Sequence, residues 1–402
     1  MYANWIVYGI SIGLVVICFI YYMIVNIRKN AGSIKRGKMF WGFVCMAVAF
    51  TLGGLIGEYR IVEKFALVGM VVFGYLIYFI CINFCYNLRD FLLRIITFGS
   101  LVIAAETIIQ YMQADDMLTA IIYRYFLHVG AQNINVASLF IAMGIITCFG
   151  LGYKKRKDYI YFAIAIFLEV SVCFTFCRMN IVLSGIAFLG LFSLSFVKSN
   201  NKVEYCIVIS TAAMIALIYE KDLSILLGSF ISKFETGTNG RDGLWRFSWE
   251  KFITHPIFGV GFILPEKIPS LDTGFLIVHN TVLQYLATVG VVGTILVAYF
   301  YFLKYKICTK KPLTDNKFLL ILIIFIELTG ITDQAATMDA FVFVLVAIII
   351  AAIESSTLEV RRMLGYNRRT ISHLYSAEVG NRTSTTYLKN AYNSDDYKNK
   401  SE

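Results

Sequence analysis

Asn280-Thr-Val-Leu-Gln-Tyr-Leu-Ala-Thr-Val-Gly290-Val-Val-Gly-Thr-Ile-Leu-Val-Ala-Tyr-Phe-Tyr-Phe-Leu303 contains no charged side chain. At about 1.5 Å per helical residue, roughly 20 such residues cover the hydrocarbon core of a bilayer. Ten further apolar runs sit at 5–26, 39–57, 65–86, 91–111, 133–152, 159–176, 180–197, 204–219, 317–331 and 339–354. Of the 402 residues, 58% are hydrophobic and 15% charged, with mean hydropathy +0.70. A soluble domain carries more charge and cannot hide that much apolar surface. The expected fold class is therefore all-α: a polytopic transmembrane helical bundle of about eleven spans.

The formal charge of +10 does not point to nucleic acid, because the basic residues fall in short clusters between apolar runs. Arg28, Lys29, Lys35, Arg36 and Lys38 follow the first run. Every second connection after it is again basic: Arg89 and Arg94, Lys154 to Lys157, Lys198 and Lys202, then Lys304, Lys306, Lys310 and Lys311. By the positive-inside rule these connections are cytoplasmic, which places the N-terminus outside and the C-terminus inside. The tail from 355 to 402 agrees, with Arg361, Arg362, Arg368, Arg369 and Arg382, and its Ser, Thr, Asn and Tyr content reads as partly disordered. Met1 to Asn4 lack a basic leader and a cleavage site, so the first run is expected to be a retained helix. The nine cysteines show neither a disulfide framework nor zinc spacing.

The organisation that follows is a bundle over 1–219, a large extracytoplasmic loop over 220–279, further spans over 280–354 and a basic tail. A loop this long in a compact protein is functional or disordered, and this one has structure written into it. Arg241-Asp-Gly-Leu-Trp-Arg-Phe-Ser-Trp-Glu-Lys-Phe-Ile253 follows Asn239-Gly240 and places Leu244, Trp245, Trp249 and Phe252 at helical spacing. His255-Pro256 ends the helix, and Gly259-Val-Gly261 makes a tight turn.

Several residues on the expected outer side carry chemistry. Arg178, in Thr175-Phe-Cys-Arg178-Met-Asn180, stands between two apolar runs with no acid nearby in sequence, so either an anionic partner or a simple loop boundary accounts for it. Arg241 and Arg246 open the loop helix and, with Arg178, are suited to clamp a pyrophosphate through bidentate forks. Asp242, four residues before Arg246, offers a structural ion pair instead. His279 precedes Asn280 where the chain re-enters the membrane; it is either a structural histidine, one that takes a proton from a sugar hydroxyl, or one that hydrogen-bonds a phosphate when charged. Glu106, Glu169 and Glu327 lie within runs and either pair inside the bundle or stay protonated. No Asp-x-Asp pattern is present, so no catalytic metal and no cofactor are expected.

These motifs together resemble the O-antigen ligase and polysaccharide polymerase superfamily of bacterial envelopes. The resemblance is carried by Asn239-Gly-Arg241-Asp-Gly-Leu-Trp245, His255-Pro-Ile-Phe-Gly-Val-Gly261, His279-x10-Gly290, Cys177-Arg178 and Gln132-Asn-Ile-Asn135. It covers about 130 to 300; the family commonly has twelve spans with both ends cytoplasmic, where this chain shows eleven. What it implies is an enzyme: a metal-independent glycosyltransferase in the bacterial inner membrane, using an undecaprenyl (polyprenyl) pyrophosphate-linked oligosaccharide donor and a glycan acceptor. Within the family a polymerase of capsule or exopolysaccharide repeat units is preferred. Alternatives are ligase-type transfer of a finished glycan and a lipid-linked oligosaccharide flippase. Flippase and chain-length regulator proteins are implied partners beside the lipid bilayer. The implied catalytic residues are His279, Arg241 and Arg178, with Arg246, Trp245, Asn280 and Asn135 on the substrate.

Overall fold

The computed structural model describes residues 36–56, 61–85, 88–123, 128–129, 132–153, 155–235, 241–262, 278–309, 316–331 and 340–356. The expected span at 5–26 and most of the basic tail lie outside the described residues. The chain divides into two compact units, Met1–Glu354 and Ser355–Glu402, and only the first is described in any length.

The apolar runs become helices: α1 Phe40–Ile56, α2 Ile61–Phe84, α3 Leu88–Met112, α4 Met117–Tyr123, α5 Ile134–Gly152, α6 Asp158–Phe174 and α7 Arg178–Lys198. These are followed by α8 Lys202–Ile218, α9 Glu220–Glu235, α10 Arg241–Thr254, α11 Thr281–Cys308, α12 Lys317–Thr329 and α13 Ala340–Ser356. A two-residue antiparallel ladder pairs β1 (His128–Val129) with β2 (Gln132–Asn133) just before α5. Among the described residues four helices, α3, α5, α7 and α11, are long and apolar enough to cross a membrane. A fifth span results if α8 and the start of α9, bent by 85° at Tyr219, count as one. Phe40–Ile56, Leu67–Asn83 and Ala340–Ser356 are shorter apolar helices.

Helix α5 is the hub of one half, packed by α3, α6, α7 and α12. Lipid is as apolar as leucine, so association there depends on close approach and hydrogen bonds between helices rather than on escape from water. Gly144 supplies the approach: a Cβ on it would stand 2.4 Å from Ser100 Cβ. Thr97 and Thr147 hydroxyls bond at 2.8 Å, and Ser100 Oγ donates to Phe140 O at 2.6 Å. Each such bond contributes about 0.6 kcal/mol. The other half is built on α1, with α11 and α2 against it. Here Gly53 lets Phe262 and Val289 approach, Gly74 lets Phe343 of α13 approach, and Phe43, Phe300 and Phe343 pack edge to face or stacked.

The run over 280–303 is not one rod. Gly290 adopts φ 63, ψ −168 and breaks α11 into limbs over 281–289 and 291–308. Two ties show how far they fold together. Thr281 donates from N (3.0 Å) and Oγ1 (2.6 Å) to Gly330 O, while Lys304 Nζ bonds Glu327 Oε1. A straight helix separates positions 281 and 304 by about 34 Å, yet Glu327 and Gly330 are less than one turn apart. Both ties exist only because the limbs turn toward each other. Lys304, expected to mark a cytoplasmic connection, is instead wholly buried inside α11, and Glu327 supplies its counter-charge. Of the other two membrane carboxylates, Glu169 accepts from Ser184 Oγ (3.1 Å) and Glu106 from Gln110 Nε2 (3.3 Å).

Removing one partner from a buried pair strands a charge, whereas removing both leaves an apolar contact. Lys304→Met is expected to destabilise the protein by about 3–5 kcal/mol, and the double variant Lys304→Met/Glu327→Leu to recover most of that. Thermal melting of the purified protein in detergent checks the cycle; additive losses would show that the two side chains do not pair.

Candidate functional site

The seven residues singled out in the sequence fall into two groups, one at the starts of α5 and α7 and the other around α10 and the start of α11. In the first, Asn180 Nδ2 donates to Asn135 O at 3.1 Å and ties the two helix starts together. Arg178 is the first residue of α7, half-buried, behind the N-cap position Cys177. Thr175 Oγ1 braces the approach by donating to Val172 O (2.6 Å) and Ser138 Oγ (3.0 Å), and Cys177 N bonds back to it at 3.3 Å. Phe176, between them, has φ 52. Its ring is buried among Tyr111, Ile121, Ile134 and Ala137, and Phe230 of α9 meets it edge on at 5.9 Å. Helix α9, within the stretch expected to be loop, thus caps this end through Leu226 and Phe230.

In the second group, α10 starts at Arg241 and ends before His255-Pro256, as its sequence dictates. The turn that follows docks into the break in α11. In an unbroken helix Val291 N and Val292 N would bond Ala287 O and Thr288 O. Here they donate instead to Pro256 O (2.8 Å) and Ile257 O (3.1 Å), and the released carbonyls accept from Val260 N and Gly261 N, both at 2.9 Å. The exchange requires backbone to touch backbone. A Cβ on Gly290 would lie 2.4 Å from Ile257 O, and one on Gly259 2.5 Å from Thr288 C. Gly259, Gly261 and Gly290 all have positive φ. The spacing His279-x10-Gly290 and the His-Pro-x-x-Gly-x-Gly turn are therefore two sides of one joint.

That joint fixes His279. Trp245 Nε1 donates to Val278 O (3.1 Å), and Val278 N donates to Gln284 Oε1 (2.8 Å). Leu244, Val278 and Ala287 form the buried cluster behind it. On the other side Asn280 Oδ1 caps α11, accepting from Val282 N (3.1 Å) and Leu283 N (3.0 Å). Held from both sides, His279 sits at φ 53. Trp245 and Asn280, expected to bind substrate, have structural tasks: the indole N–H and the amide oxygen each hold backbone next to the histidine. Arg241 is half-buried and Arg246 exposed, and no ion pair joins Arg246 to Asp242 among the described residues. Asp116, one of the adjacent acids near the site, caps α4: the Thr119 hydroxyl and then its amide hold its carboxyl below the usual range.

The two groups belong to different halves, α5 and α7 to one, α10 and α11 to the other, and α12 touches both. The far end of α5 packs on the start of α12, with Tyr153 and Phe318 rings 5.4 Å apart. Helix α12 runs back along α5 and hands Gly330 to Thr281. Thr281, two residues after His279, is thereby tied to the end of a helix that packs on α5. Among the described residues Phe176 and His279 are the two non-glycine residues with positive φ. That conformation costs about 1–3 kcal/mol each and persists only where the surroundings over-determine it. Sequence reading missed the strain because neither residue type announces it.

Comparison of the sequence with protein-family models and with curated proteins finds no match in either. The class rests on the fold: an all-helical protein whose long apolar helices embed it in a membrane.

Gly290→Ala is expected to lower stability by at least about 2 kcal/mol, adding left-handed strain to a backbone clash. Gly69→Ala, in a helix with open space around the new methyl, is expected to be neutral or stabilising by up to about 1 kcal/mol. Melting temperatures of the two variants in the same detergent make the comparison; equal effects would refute the interlock.

Proposed function

We propose that this protein is a multi-pass enzyme of the bacterial inner membrane that transfers glycan from a polyprenyl pyrophosphate carrier to a sugar hydroxyl on the outer face. In this reading the chain has about eleven spans, with its N-terminus outside and its C-terminus inside. The observation that carries the proposal is the coincidence of strain and chemistry. Among the described residues the two non-glycine residues held at positive φ are His279 and the residue two before Arg178, each two positions before the first residue of a helix.

In the reaction the acceptor oxygen bonds the anomeric carbon while the bond from that carbon to the carrier phosphate breaks. His279 takes the acceptor proton, and the pyrophosphate leaves with the electron pair. Arg178, Arg241 and the exposed Arg246 balance the charge that develops there, which is where preorganised cations act most. Trp245 and Asn280 serve as positioning residues for the histidine. Asn135, at the start of α5, orients a sugar in this reading. Polymerisation of repeat units remains the preferred member of this class, over ligation of a finished glycan.

A second reading, translocation of the lipid-linked glycan, is favoured by one observation: the broken helix α11, since transporters build their sites from discontinuous helices. The two readings separate in a deletion strain. Loss of a polymerase leaves single carrier-linked units on the outer face, and loss of a flippase strands them inside.

His279→Ala and Arg241→Ala are each expected to reduce glycan extension by on the order of 10²-fold or more, with protein still in the membrane. Gel profiles of the polysaccharide in the complemented deletion strain measure this, and normal chain lengths from both variants would overturn the assignment. For topology, an extracytoplasmic reporter fused near Lys267 is expected to be active; a silent one inverts the orientation.

A further inference from the structure

The opposite end of the α5 half carries a second concentration of charge that the proposed reaction does not use. Tyr153 follows α5, and two lysines from different helices converge on it. Lys198 Nζ, from the last turn of α7, bonds the phenol oxygen at 3.1 Å. Lys317, the first residue of α12, holds its ammonium 3.4 Å from the ring centroid. Hydrogen bonding and charge from Lys317, then from Lys198, keep the phenol below its usual range.

Like charges held close disfavour each other's charged form, and an anion beside them offsets that cost. Among the described residues no carboxylate pairs with either lysine. The acids on these elements lie elsewhere. Asp158 is buried and accepts from Asn201 Nδ2 at 2.7 Å, and Glu204 lies in the first turn of α8. Three helices, α6, α8 and α12, begin at this rim, and none has a side-chain cap on its first turn. Their positive dipole ends add to the lysines. Beside this charge the surface turns apolar at once: Leu194 and Val197 on α7, and Val203 and Ile207 on α8, are all more than half exposed.

We propose that Lys198, Tyr153 and Lys317 form a binding site for the phosphate of an anionic phospholipid, whose acyl chains run down the exposed apolar faces of α7 and α8. The charge selects the headgroup, and the adjoining apolar faces select a lipid over a soluble anion. A basic pocket between helices at the membrane rim is suited to this recognition, each lysine near an anionic surface being worth about fivefold in affinity.

The test uses the full chain in nanodiscs of equimolar phosphatidylglycerol and phosphatidylcholine, followed by detergent exchange and mass spectrometry of the lipid that stays bound. The wild type is expected to retain phosphatidylglycerol preferentially. Lys198→Gln/Lys317→Gln is expected to weaken that retention on the order of ten- to thirtyfold. Lys198→Gln alone, a surface change that leaves packing intact, carries the expectation of about fivefold should the double variant not fold. Lys155→Gln/Lys157→Gln, exposed charges of the same connection, is expected to leave retention unchanged. Undiminished retention in the lysine variants overturns the site, and an equal loss in the control pair reduces it to diffuse surface charge. Displacement of the lipid by excess inorganic phosphate would overturn the lipid as ligand in favour of a soluble anion.

Discussion

The exchange of backbone hydrogen bonds at Gly290 is the constraint on which the rest of this structure depends. In hydrocarbon an unsatisfied N–H or C=O costs several kcal/mol, so a helix cannot simply break inside a membrane. Helix α11 does break, giving up the bonds from Val291 N and Val292 N to the carbonyls of Ala287 and Thr288. Four bonds to the turn over 256–261 replace those two. The turn gains as much as the helix. Pro256 cannot extend α10 because it has no N–H, yet its carbonyl is satisfied by Val291. Neither segment is complete without the other, and two glycines, Gly259 and Gly290, make the contact close enough for bonding.

The position of the first limb follows from the break. With α11 turned at Gly290, the limb over 281–289 is free to be tied to the end of α12, and Lys304 on the second limb reaches Glu327 three residues before that same end. Two anchors on one helix, taken up by both limbs, fix the angle between them. The loop helix α10 is locked to α11 through the turn and again through Trp245 and Val278. His279 is therefore the meeting point of three supports: the indole bond behind it, the Asn280 cap ahead of it and the Thr281 tie beyond. A side chain that must stand within hydrogen-bond reach of a substrate benefits from such rigidity, because misplacement by an ångström removes most of the rate advantage.

Much of this was legible in the sequence, and the failures have physical causes. Run lengths gave α1 to α3, α5 to α8 and α12 to within a few residues, because nothing but a helix satisfies its own backbone in an apolar setting. Arg241 and His255-Pro256 bounded α10 correctly, since a proline is a local signal. The break at Gly290 was not legible as a break. Gly293, three residues on, is as much a glycine and stays helical; the difference lies in Ile257 and Gly259 pressing on one and Val289 on the other. The cap that Asn280 Oδ1 makes on α11 was not legible either, because it is identified by the distances to Val282 N and Leu283 N. Lys304 was counted among topology charges because hydropathy does not report that a partner sits one helix away. Helix α9 escaped notice since its mixed composition is that of a surface segment, and its anchor, Phe230 on Phe176, is a tertiary contact between distant positions.

The strained residues mark the entries to two helices, α7 and α11. A helix start offers free N–H groups and a positive dipole end, so α5, α7, α10 and α11 all begin with the polarity that favours an anion. Two of these starts, α5 and α10, carry no positive-φ residue among the described residues. At Arg178 and His279 the chain instead enters the helix through a left-handed residue at or just before the start, a route that shortens the connection and turns the first side chain relative to the axis. Phe176 tolerates this because its ring is buried in the α3, α4 and α5 contacts and clasped by α9; His279 tolerates it because Val278 and Asn280 are both bonded. At both helix starts the strain is held by packing and backbone bonds that over-determine the chain there, which is the condition under which such a conformation persists.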